Sequence, residues 1–67
     1  MTKLILSDNS SREYIVKDPL RFYDHLIEYH TKNRIADNSV HEEHGFYFTV
    51  TKDLVKKVEN FVLNYKI

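Results

Sequence analysis

Hydrophobic and polar positions change period along the chain, and the changes mark its elements. Lys3-Leu4-Ile5-Leu6 and Arg12-Glu13-Tyr14-Ile15-Val16-Lys17 are short runs rich in β-branched or large apolar residues. The second run alternates, as a half-buried strand does, with Tyr14 and Val16 on one face and Glu13, Ile15 and Lys17 on the other. Between the two lies Ser7-Asp8-Asn9-Ser10-Ser11, whose side chains favour local turns, so the pair predicts a β-hairpin.

From Pro19 the period becomes helical. Asp18 suits an N-cap and Pro19 the first helical position. At about 100° per residue, Tyr23, Leu26, Ile27 and His30 fall on one stripe, with Leu20 and Phe22 at its edges. Arg21, Asp24, His25, Glu28, Thr31 and Lys32 fall opposite, and the spacing predicts a helix over 19–33. Residues 33–45 carry no strong period. Asp37-Asn38-Ser39 reads as a turn, and Ile35 is expected to tuck back under the helix. Phe46-Tyr47-Phe48-Thr49-Val50 alternates again, with Phe46, Phe48 and Val50 inward and Tyr47 outward. Thr51 caps a last helix in which Leu54, Val55, Val58, Phe61, Val62 and Tyr65 form the core stripe. The order ββαβα predicts an α+β two-layer sandwich, a three-stranded sheet with both helices on one face, in a single small domain spanning 1–67.

Composition narrows the function. With no Cys among 67 residues, there is no disulfide framework, thiolate zinc site or Cys nucleophile. That fits a reducing, cytoplasmic setting. No apolar run is long enough to span a bilayer, so no membrane role is expected. A lone Gly excludes the Gly-rich phosphate loops. The Ser residues near the first turn have no local His to activate them, so the chain reads as non-enzymatic, with no cofactor.

The formal net charge of zero is a cancellation. Asp37, Glu42 and Glu43 make an acidic stretch without Lys or Arg, and Lys52, Lys56, Lys57 and Lys66 make the last helix basic. Such opposed patches suit a protein partner or a second copy, because charge complementarity steers partner choice. Leu63 and Ile67, four residues apart, share the helix face opposite the core stripe. With outward Tyr47 and the acidic Glu42 and Glu43, they form the expected partner-binding surface. The alternative is a nucleic-acid-binding regulator using Lys52, Lys56, Lys57 and Lys66, disfavoured because phosphate binders carry a stronger basic bias.

A third reading is a zinc-stabilised domain using His41 and His44, which flank two carboxylates in His41-Glu42-Glu43-His44. His25 and His30 are expected not to pair, because five helical residues turn them about 140° apart. Finally, Lys, Asn, Ile, Tyr and Phe outnumber Ala, Gly and Pro, which appear once each. That composition is typical of AT-rich reading frames common in phages and mobile elements. The leading expectation is therefore a small regulator or inhibitor that acts on a host protein, with a homodimer as the other form its surface suits.

Overall fold

The computed structural model describes residues 3–65. Its elements are β1 (Leu4–Ser7), β2 (Glu13–Val16), α1 (Pro19–Tyr29), β3 (Thr31–Lys32), β4 (Ile35–Ala36), β5 (Val40–Glu43), β6 (Phe46–Thr49) and α2 (Lys52–Tyr65). The class is α+β, with two helices and short antiparallel strand pairs.

Among the described residues the predicted three-stranded sheet is not formed, and three two-stranded ladders stand instead: β1–β2, β3–β4 and β5–β6. The expected third strand, β6, pairs with β5, a strand that lies where a loop was expected. Val40 opposes Thr49, His41 opposes Phe48, Glu42 opposes Tyr47 and Glu43 opposes Phe46. The first hairpin meets β6 through its turn. Asn9 donates its backbone N–H to the Tyr47 carbonyl at 2.7 Å. Its side-chain oxygen accepts the Thr49 N–H at 3.1 Å, and its amide donates to Thr49 Oγ1 at 3.0 Å. One residue thus satisfies backbone groups on the edge of β6 that a third strand would otherwise have used.

Local chemistry explains the other boundaries. Asp18 accepts the Arg21 N–H at 3.2 Å at the start of α1, and Thr51 accepts the Leu54 N–H at 3.1 Å at the start of α2. α1 ends at Tyr29, short of the predicted 33. His30 is its C-cap, with φ −126° and ψ 15°, and donates its N–H to the Leu26 carbonyl. Thr31 Oγ1 takes up the Ile27 carbonyl. The chain then turns through Asn33 and Arg34, both at positive φ, as the type I′ turn of a two-residue hairpin requires. His44 (φ 50°) and Gly45 (φ 84°) do the same between β5 and β6. Ile35 sits in β4 and is exposed, so it does not tuck under α1.

The core is Leu4, Leu6, Val16, Phe22, Leu26, Phe48, Val50, Val55, Val58 and Val62. The buried stripe of α1 is centred on Phe22 and Leu26, rotated from the predicted centre, and Leu20 at the expected edge is exposed. The rotation brings the Phe22 ring edge-on to Phe48 at 6.0 Å and to His41 at 5.4 Å. The molecule is 17 Å thick in its short dimension, room for one strand layer and one helix layer.

Candidate functional site

β5 carries the most concentrated chemistry. Strand alternation turns His41 and Glu43 inward and leaves Val40 and Glu42 outward. His41 is only 6% exposed, yet its Nε2 lies 2.9 Å from Glu43 Oε1. A carboxylate only accepts, so in the neutral ring Nε2 carries the proton and Nδ1 the lone pair. Glu43 also lies 3.7 Å from His44 Nε2 through its other oxygen. Burial, followed by the charge of Glu43, pushes the Tyr14 hydroxyl above its ordinary range.

His30 reaches the same region because α1 stops before it. His25 and His30, expected to diverge, have ring centroids 5.6 Å apart. His41 completes a triangle, 4.6 Å from His25 and 5.1 Å from His30. One ring nitrogen of each lies within 4.8 Å of those of the other two. The helical projection failed here because it was continued past the residue where helical geometry ends. His41 and His44, the pair singled out in sequence, instead flank Glu43 from inside and outside the hairpin. His44 is 75% exposed at the turn.

The partners of His30 define its protonation. Ser39 Oγ donates to Asp37 Oδ1 at 2.5 Å, so it accepts from His30 Nδ1 at 2.6 Å. The neutral ring is therefore the Nδ1–H form, with the lone pair on Nε2. Burial lowers the pKa of His30, and His41 and His25 lower it further against the opposing pull of Asp37. The Ser39 hydroxyl and N–H hold the Asp37 carboxyl below its ordinary value. Beside this cluster opens a cleft of about 430 Å³ whose lining includes Phe22, His25, Glu43 and His44.

The other expected site residues are dispersed. Leu63 is exposed on α2, whereas Ile67 and Lys66 lie outside the described residues. Tyr47 is exposed on β6. Glu42 accepts the Gly45 N–H at 2.7 Å and so closes its own turn. Glu43 faces inward, so the acidic stretch does not present both glutamates on one surface. Lys57 is exposed, and Lys52 and Lys56 line a groove of about 310 Å³ with Arg34 and Glu59.

A further surface was not singled out in sequence. Ile5 and Ile15 are direct partners across β1–β2, and they are 42% and 50% exposed. The alternation of Tyr14, Ile15 and Val16 contained this signal, since an apolar residue stood on the polar face. Among the described residues, no helix is long and apolar enough to cross a membrane. Compared with known proteins, the chain matches no family model, and no curated protein or solved structure is significantly similar to it.

Proposed function

We propose that this chain is a small, non-enzymatic binding module that docks on another protein in the cytoplasm, in the manner of a phage or mobile-element regulator or inhibitor. The observation that carries this reading is the Ile5–Ile15 pair. A cross-strand apolar pair is normally turned to a core. Here the core face of the same hairpin is already supplied by Leu4, Leu6, Tyr14 and Val16, and the two isoleucines face solvent. Paired apolar surface on an outward ladder face suits docking of a complementary protein face.

The test replaces both with Thr, which keeps strand propensity and removes apolar area. Crosslinking in the native cell is expected to yield a defined complex with the wild-type chain and none with the double variant, with the circular dichroism spectrum unchanged. The same complex in both would refute the reading. Sedimentation of the isolated chain separates a second copy from a foreign partner.

A second reading has one observation in its favour. Arg34 joins Lys52 and Lys56 along the same groove, which concentrates cationic side chains more than the sequence of α2 suggested. A nucleic-acid ligand there predicts binding that weakens steeply with salt, and no binding at low salt eliminates it.

A further inference from the structure

The geometry points to a binding site for a divalent transition-metal ion of the zinc class, held by His25, His30 and His41. The three ligands come from the last turns of α1, from its C-cap and from the middle of β5. Only the folded chain brings them together.

Ring spacing is the first argument. Imidazoles bound tetrahedrally at 2.0–2.1 Å have centroids about 3.2 Å from the metal and roughly 5.2 Å from one another. The three observed separations are 4.6, 5.1 and 5.6 Å. The rings are inclined to one another by 50°, 51° and 71°, so they are not a parallel stack. The nitrogens, within 4.8 Å of one another, need to close to about 3.3 Å around a bound ion.

The outer partners are the second argument. Metal-bound histidines characteristically donate their other N–H to a carboxylate or carbonyl. His41 donates Nε2–H directly to Glu43, and His30 donates Nδ1–H through Ser39 to Asp37. Each arrangement leaves the remaining nitrogen as the lone-pair donor, and two anionic groups stand behind a site that would carry two positive charges. Three neutral nitrogens suit zinc, copper, nickel or cobalt, whereas magnesium and calcium require oxygen ligands.

Three protein ligands leave a fourth tetrahedral position. His25 and Glu43 belong both to this constellation and to the adjoining cleft, so solvent or a small ligand approaches from that side. The site would also tie the end of α1 to β5.

The experiment uses the untagged full-length chain at pH 7.5. Zinc chloride is titrated calorimetrically, cobalt(II) absorption is recorded, and the imidazole resonances are followed by NMR. One equivalent per chain is expected, with a four-coordinate cobalt spectrum and shifts at His25, His30 and His41. His25→Gln and His30→Gln should each weaken binding by about 100-fold or more, beyond the 10–100-fold typical of losing an outer partner. His44→Gln, which removes a neighbour of Glu43 and none of the three ligands, should weaken it by less than about 10-fold. Both ligand variants keep His41, the most buried of the three, and their folding is checked by circular dichroism. No binding at ~0.1 mM metal, where even a weak Kd would register, would overturn the proposal and leave the cluster as packing. Wild-type affinity in both ligand variants, or a loss confined to His44→Gln, would overturn it too.

Discussion

Arg12 folds back on Asp8 so that one carboxylate organises the whole first turn. The guanidinium donates to Asp8 Oδ2 at 2.8 and 3.1 Å, while the backbone N–H groups of Arg12 and Ser10 donate to Oδ1 at 2.8 and 3.0 Å. The same guanidinium donates to the Gly45 carbonyl at 3.0 Å and lies 4.5 Å above the Phe46 ring. The first and third hairpins are therefore joined at both Asn9 and Arg12.

Burial raises the Asp8 carboxyl, but the backbone and side-chain donors of Arg12 and the N–H of Ser10 outweigh it and hold it below its ordinary value. A lowered folded-state pKa means that the stabilisation is complete above the unfolded value of about 3.9 and is lost as pH falls through the folded value. Asp8→Asn should lower the melting temperature at pH 7 and flatten its acid dependence below about pH 4. Parallel melts of wild type and variant from pH 7 to 2.5 check this, and superimposable profiles would refute it.

His30 gives a second pH dependence in a different window. Its folded-state pKa is lowered by burial and by its two imidazole neighbours. Folding therefore disfavours the proton, so stability is full above the unfolded value of about 6.5 and declines as pH falls below it. Metal-free protein should lose melting temperature between pH 7.5 and 5.5, and His30→Gln should remove much of that slope. Thermal melts in chelator-treated buffer are the measurement.

Phe48 holds both layers together, since it lies in the core against Tyr14 at 5.8 Å and Phe22 at 6.0 Å. A chain of this size has a total stability of only about 3–10 kcal/mol. Truncating a buried Phe to Ala costs about 3–5 kcal/mol. Phe48→Ala should thus leave a large unfolded fraction at 25 °C, and Phe48→Leu should fold with a reduced urea midpoint. Urea titrations by circular dichroism report both.

Gly45 sits at φ 84° with nothing within 4 Å of where a Cβ would stand. Substitution there meets backbone strain and no clash. Gly45→Ala should cost about 1–2 kcal/mol, with Gly45→Asn milder because Asn tolerates the left-handed region. Equal urea midpoints for Ala and Asn would contradict this account of the turn.

Tyr23 joins three elements. Its hydroxyl donates to Glu59 Oε2 on α2 at 2.8 Å and accepts from Arg34 Nη2 at 3.3 Å. Tyr23→Phe should destabilise by about 1.5–3 kcal/mol, the range for a hydrogen bond to a charged group. A double-mutant cycle with Glu59→Gln isolates that coupling.

The helix starts and the α2 stripe were legible because their signals are local. Asp18 and Thr51 cap over three residues, and Val55, Val58 and Val62 repeat with the helix itself. β5 was not legible for the opposite reason. Its inward residues are His41 and Glu43, so the side facing the interior reads as polar. The burial of His41 is tolerated because it bonds the half-buried Glu43, a pairing between positions that appears only once the strand is extended. The His25–His30 approach was hidden by a related fault: the helical projection assumed that α1 reached His30, but Thr31 and the Asn33–Arg34 turn end it first. Of the His41–His44 pair, the fold brings His41 beside His25 and His30 and leaves His44 exposed at the turn.

All three ladders join strands that are neighbours in sequence. This has a consequence in time. Each hairpin closes across a short stretch of chain, an event of about 1–10 μs, before distant segments need to meet. The slower step is left to the encounter of α1 with α2 and of Asn9 with β6, where the chain must close over most of its length. A change that weakens a turn already closed at that step should therefore slow folding and leave unfolding nearly unchanged, whereas contacts of Asn9 and the helices completed after the encounter should govern chiefly how soon the assembled molecule comes apart.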